Sequence, residues 1–234
     1  MRKIRVAHII TKLELGGAQQ NTLYTIEHLP RDKYEVILIS GCGGILDEEA
    51  KTIPDIKLYF IPSLVREVNP FCDLCAFFAL WRILRLLRPH IVHTHSSKAG
   101  ILGRWAAWFS RYPISDIRYP IIIHTFHGFG FNPYQKFSIK EIFIFLEQIT
   151  ALISTKLIAV SEENIRKGTG YFIGSKEKYV LIRSGIKIAQ YENVQVDPEK
   201  KKRELGIEPE EKVVTMVSPF KPQKAPFDFV QMAK

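Results

Sequence analysis

IIIHTFHGFGFN, from Ile121 to Asn132, begins as an unbroken β-branched run and dissolves into glycine. A strand buried on both faces of a parallel sheet has this apolar continuity, whereas a half-exposed strand alternates. The run ends in His124, Thr125, Phe126 and His127, so polar side chains arrive at the rim where the strand stops. In open α/β sheets the ligand crevice lies beyond the carboxyl ends of the strands. Two other stretches are expected to end at the same rim: TKLELGGAQQ after the first strand and IVHTHSSKAG after the fourth. Function is expected where the three ends meet.

Outward from that stretch, KIRVAHIIT, YEVILIS, IKLYFIP, HIVHTHS, YPIIIHTF, KLIAVS and YVLIRSGI read in turn as seven strands. Between them lie helical patterns, such as Leu23, Ile26 and Leu29 after the Gly16-Gly17 turn, and the long apolar SIKEIFIFLEQITALIS. Asn69-Pro70 reads as a cap followed by a first helical residue, and Ser161 as the cap of EENIRKG. Strands alternating with helices predict a doubly wound parallel sheet over residues 1–186. Residues 187–211 are polar and aperiodic, as in a linker. Residues 212–234 then offer one strand, EKVVTMVSPF, and one helix, KAPFDFVQMAK. One strand and one helix make no core alone. They are expected to open a second α/β domain left incomplete, or to pack back onto the first.

The chain has 234 residues, 46% of them hydrophobic, and a formal charge of +9. Such a balance favours an anionic contact, be it nucleic acid, a membrane surface or a phosphorylated substrate, unless the charge is merely scattered. No groove-reading motif or spaced aromatic platform supports nucleic acid. The helix after Pro70 carries Arg82, Arg85 and Arg88 beside an apolar face. It reads as a crossover helix with solvated arginines, the alternative being a basic helix lying on an anionic membrane. Cys72 and Cys75 have CxxC spacing but no second pair, so with Cys42 they are expected to be core thiols in a reducing cytoplasm. MRKIRVAHII lacks the length and cleavage site of a signal peptide, and Asp73, Arg82, Glu141 and Glu147 interrupt the most apolar helices. The expected setting is cytoplasmic, with peripheral association at the inner face of the membrane.

Three features carry chemistry. Gly16-Gly17 between a strand and a helix can present free backbone N–H groups to an anion. The spacing is not GxGxxG, so no dinucleotide fingerprint exists. His93 and His95 flank Thr94 and point to one face of the sheet. HxH pairs at strand ends do bind metals, and HTHS resembles the first metal motif of a class of metal-dependent phosphoesterases. No Asp or Glu follows closely, and that class carries its motif on the first strand, so metal is not the preferred reading. His127 lies past its strand, where the backbone turns at Gly128 and a side chain opens to a cleft. A neutral imidazole with a fixed tautomer can there donate to a hydroxyl or a developing negative charge.

The Gly-Gly turn, IVHTHSSKAGILGR, TFHGFGF, LIAVSEENI, LIRSGI and MVSPFKPQKAPFDFV, in this order, resemble the retaining glycosyltransferases of family 4. The resemblance covers nearly the whole chain and implies the GT-B arrangement of two Rossmann-like domains facing a cleft. Residues 1–186 would be the acceptor-binding domain, and 212–234 the start of the nucleotide-sugar-binding domain. By resemblance, Gly16 and Gly17 lie over the donor phosphates and beside the acceptor. His127 contacts the donor sugar near the reacting centre and is the catalytic candidate. Lys224 holds the diphosphate leaving group. His95, Ser96, Gly128, Phe129, Ser161 and Glu162 border the cleft or meet the acceptor. Arginine is usual where Pro219 stands, leaving Lys221 to take that phosphate contact. Ser184-Gly185-Ile186-Lys187 replaces the usual Asn-Gly-Val-Asp. The family's paired glutamates would fall beyond Lys234, so residues 1–234 alone are expected to show little or no turnover.

The expected function is a hexosyltransferase-type reaction in cell-envelope polysaccharide or glycolipid synthesis. A sugar moves, with retention, from a UDP- or GDP-linked donor to a saccharide or lipid-linked acceptor. No metal or other cofactor is required, because a cation such as Lys224 compensates the leaving charge. The competing expectations are a catalytically incomplete binding module and a metal phosphoesterase using His93 and His95.

Overall fold

The computed structural model describes residues 3–111, 120–186, 188, 192, 194–218, 220 and 222–232. All seven runs read as strands pair in one parallel sheet, in the order β3-β2-β1-β4-β5-β6-β7. The strands are β1 (Ile4–Ile10), β2 (Tyr34–Ser40), β3 (Ile56–Phe60), β4 (Ile91–His95), β5 (Ile121–Phe126), β6 (Lys156–Ala159) and β7 (Tyr179–Leu181). β7 is shorter than its sequence run. Beyond it, Ile182 N–H donates to Ala159 O at 3.0 Å and continues the pairing by one bond.

Helices α1 (Gly17–His28) and α2 (Asp47–Thr52) cover one face of the β1–β3 half, closing over Ile10, Leu23, Ile26, Val36 and Leu38. The second helix follows a glycine loop whose sequence shows no periodicity. Asp47 builds it locally by accepting from the N–H groups of Gly43 and Gly44. On the opposite face lie α3 (Pro70–Leu87) and α4 (Ser97–Phe109), packed on Ala7, Ile9, Ile37, Ile39, Val92 and Ile122. α5 (Phe137–Leu152) and α6 (Glu162–Gly170) follow, and a third cluster around Phe126, Phe131, Ile144 and Leu157 packs beside them.

The caps are those the sequence predicts. Asn69 accepts from Cys72 N–H at 3.1 Å with Pro70 at the first helical position, and Ser161 accepts from Asn164 N–H at 3.2 Å. The cysteines are not core thiols. Cys42 and Cys75 are exposed and Cys72 is half-buried, because α3 turns Ala76, Leu80 and Leu84 inward and leaves its other faces to solvent.

Residues 1–186 and 187–234 are two separate compact units. In the second, Asp197 caps a helix over Pro198–Glu204, and another helix spans Pro226–Met232. The strand expected within 212–220 does not form among the described residues of that stretch, 212–218 and 220. Val213, Val214 and Val217 are exposed, and no strand lies beside them among the described residues of this unit to complete a ladder.

Candidate functional site

The sheet reverses its winding at β1, whose neighbours are β2 on one side and β4 on the other. A crevice opens at such a switch point because the connections leave in opposite directions. Here the two carboxyl ends are tied together. Thr11 Oγ1 and Ser96 Oγ lie 2.7 Å apart, Thr11 N–H donates to Ser96 Oγ, and Ala99 N–H in the first turn of α4 donates to Thr11 Oγ1. Ser96 sits at φ 61° and ψ 155°, a region rarely open to a side chain.

Beneath this tie the sheet face toward α1 carries imidazoles. Because His8 pairs in register with His93, their side chains share that face, and His95 stands two residues further along β4. His8 Nδ1 is 3.1 Å from His95 Nε2, and His95 Nδ1 is 3.2 Å from His127 Nε2. His93 Nε2 is 2.7 Å from Thr125 Oγ1 on β5. The rings are also packed together, with His93 and His95 centroids 4.2 Å apart. Burial lowers the pKa of His8 and of His127 to about 4, and holds His93 and His95 well below the usual histidine value. The cluster is neutral at pH 7.

His124 does not join it. Its alternation along β5 turns it to the α4 face, where it meets Thr94 Oγ1 at 2.9 Å. Helix α4 approaches so closely there that a Cβ on Gly100 would lie 2.5 Å from the ring. His8 escaped the sequence reading because a lone histidine inside an apolar strand carries no motif. Its signal is positional, a polar residue at the centre of a strand expected to be buried on both faces.

A cleft of about 360 Å³ opens over this face, lined by Tyr24, Thr25 and His28 of α1, by His93, His95 and Thr125, and by Ile182 and Arg183 after β7. One ring nitrogen from each of His8, His93 and His95 lies within 4.8 Å of the others, so these three could hold a zinc-like ion. No carboxylate belongs to that set. Its nitrogens already engage one another and Thr125.

The remaining predicted residues are placed as follows. Gly16 caps α1 with extended backbone and Gly17 is its first residue, so the helix N-terminus faces the rim beyond β1. Gly128 follows His127 at φ 156°, a backbone shape that suits glycine. Phe129 turns away from the rim and stacks on Phe126 at 4.6 Å within the third core cluster. Ser161 is spent on capping α6, and Glu162 is exposed in its first turn. Lys224 is exposed in a short 3₁₀ turn of the second unit. Lys221, Pro219 and Lys187 lie outside the described residues.

A seven-stranded doubly wound parallel sheet with a polar rim at its switch point is a domain of the Rossmann-like kind. A family model described as Glycosyltransferase Family 4 matches residues 15–190. The chain is 31% identical over 238 residues to the UDP-Gal:alpha-D-GlcNAc-diphosphoundecaprenol alpha-1,3-galactosyltransferase of Escherichia coli, covering 99% of this chain and 58% of that protein. It is 25% identical over 201 residues to the capsular polysaccharide biosynthesis glycosyltransferase CapM of Staphylococcus aureus, covering 86% of this chain and 49% of the other. Among solved structures, a glycosyltransferase from Rickettsia africae shares the fold at a TM-score of 0.62 and 21% identity, over 90% of this chain and 51% of that one. The chain belongs to glycosyltransferase family 4 and has the Rossmann-like fold of GT-B proteins. It spans 58% and 49% of the lengths of the two relatives.

Proposed function

We propose that this chain carries the acceptor-side domain of a retaining hexosyltransferase that builds cell-envelope polysaccharide or glycolipid. The donor is a UDP- or GDP-linked sugar, and the acceptor a saccharide or a lipid-linked sugar diphosphate. The observation that carries the reading is His127, a neutral imidazole at the end of β5, held at 3.2 Å by His95 beside a glycine turn. The Escherichia coli relative's name, with its UDP-galactose donor and diphosphoundecaprenol-linked acceptor, supports the choice of substrates.

In this reading His127 hydrogen-bonds the donor sugar at the reacting centre. A neutral ring with one fixed N–H gives direction without placing a full positive charge beside an oxocarbenium-like sugar. The breaking bond leaves negative charge on the diphosphate. Groups able to offset such charge are the N-terminus of α1 at Gly16 and Gly17 in the first unit and, considered separately, the cations Lys221 and Lys224 of the second, so in this reading the transfer needs no metal. Helix α3 suits a membrane-bound acceptor. Phe71, Leu74 and Phe78 are exposed on its outward side, with Arg82 and Arg85 following, a basic amphipathic face able to rest on anionic lipid. None of the described helices is long and apolar enough to cross a membrane.

The test is sugar transfer by the product of the full reading frame, with UDP-galactose and a GlcNAc-diphosphate lipid as the first pair. His127→Ala should cut kcat about 10²-fold or more. An unchanged kcat would remove His127 from the reacting centre.

A further inference from the structure

His8, His95 and His127 form a line of rings joined by two N···N contacts, 3.1 and 3.2 Å long. Each neutral imidazole carries one N–H and one bare nitrogen, so a contact between two rings needs a donor on one side and an acceptor on the other. The two contacts meet His95 on its opposite nitrogens. That ring must donate through one and accept through the other, so the three protons can only be arranged together. Two arrangements exist. In one, His8 Nδ1–H donates to His95 Nε2, His95 Nδ1–H donates to His127 Nε2, and His127 is left with its proton on Nδ1. In the other every bond is reversed, His127 keeps its proton on Nε2, and His8 Nε2 carries an N–H.

The buried end decides between them. His8 is 1% exposed, and its Nε2 has no hydrogen-bond partner among the described residues. The reversed arrangement would strand an N–H at that place, whereas the first leaves only a bare lone pair. Orphaned buried donors are rarer in proteins than under-satisfied acceptors. We propose that His8 and His95 are positioning residues: acting in series from the buried end, they fix His127 as the Nδ1–H tautomer and so aim a hydrogen-bond donor at the ligand. His8 acts through two intervening contacts and touches no substrate. His93, bonded to Thr125 instead, is outside the line.

The inference rests on the reading of His127 as the sugar-contacting group only for its purpose. The tautomer exists without ligand and is measured without turnover, so the two ideas can fail separately. The experiment is a long-range 15N–1H correlation spectrum of the 15N-histidine-labelled chain at pH 7.5. His127 should show a protonated Nδ1 and a bare Nε2. In His8→Phe, which keeps an aromatic ring but removes the donor, that pattern should be lost in favour of Nε2–H or averaged shifts. His93→Phe, an equal disturbance of the same cluster, should leave the His127 pattern in place. A wild-type His127 protonated on Nε2 overturns the proposal without any variant having to fold. So would equal effects of the two substitutions, or stoichiometric zinc in the purified chain, since a metal would take the lone pairs that the line uses.

Discussion

Arg104 Nη2 of α4 and Glu147 Oε2 of α5 stand 2.6 Å apart with both side chains almost wholly sealed from water, at 0% and 2% exposure. Arg104 also donates through Nε to Gly100 O and through Nη1 to Ser154 Oγ, while Glu147 Oε1 has no partner among the described residues. Two charges brought this far from solvent attract strongly but have lost their hydration, so losing one partner is worse than losing both. Glu147→Gln is expected to lower the unfolding free energy by about 3 kcal/mol. Arg104→Met combined with Glu147→Leu should recover most of that loss. Urea unfolding midpoints of the two variants check this, and equal losses would show that packing rather than charge holds the seam.

Acid should loosen the domain well above the range where carboxylates titrate. His8 and His127 ionise at about 4 in the folded chain against 6.5 in the unfolded one, and His93, His95 and His124 are lowered as well. The unfolded chain therefore binds more protons as pH falls, and native stability decreases. Stability should be full above pH 6.5 and fall as pH drops from 6.5 toward 4, most steeply between those limits, as read by denaturant midpoints at each pH. His8→Phe should make that slope shallower. A flat profile between these limits would mean the imidazoles are not buried as described.

Ser96 offers an inversion of the usual order of substitutions. Its φ of 61° is costly for any side chain, yet its hydroxyl meets Thr11. Ser96→Ala loses the bond and keeps the strain, whereas Ser96→Gly loses the bond and relieves the strain. Glycine should be the more stable of the two by about 1 kcal/mol, although it loses more entropy on folding elsewhere. Thermal unfolding of the pair reads the sign directly.

Helix α3 should bind vesicles through its outward face. Replacing Phe71 and Phe78 together with serine removes two exposed rings and should weaken partition onto phosphatidylglycerol vesicles by at least about tenfold. The core residues Ala76, Leu80 and Leu84 stay untouched, so the fold should persist. Sedimentation with vesicles at low and high salt checks it. Binding that is equal before and after the change would place the contact elsewhere.

The sheet was legible because each parallel strand had to be buried on both faces, which writes an apolar run with a polar end into the sequence. His93, His95 and His127 were found for the same reason, as polar ends of such runs. Side-chain partnerships across the fold were not legible. Nothing in the local pattern joins Arg104 to Glu147, 43 residues away, or His8 to His95, 87 residues away. Two inferences failed because they stood on local pattern alone. The valines of 213–217 look like a strand but have no strand beside them among the described residues of their unit. The CxxC of α3 looks internal until helix phase is set by Ala76 and Leu80.

The placement of β1 has a consequence for synthesis. Val6 pairs with Val36 on one side and with Ile91 on the other. As the chain emerges, β1, β2 and β3 can assemble once residue 60 is free, but the second edge of β1 has no partner until residues 91–95 follow. During that interval a row of unpaired N–H and C=O groups stands open, an invitation to strands of other nascent chains. The rim that carries the imidazole line cannot form before this edge closes. A ribosome that pauses between those points keeps that edge open, so slowing translation of residues 61–95 is expected to raise aggregation of the nascent chain.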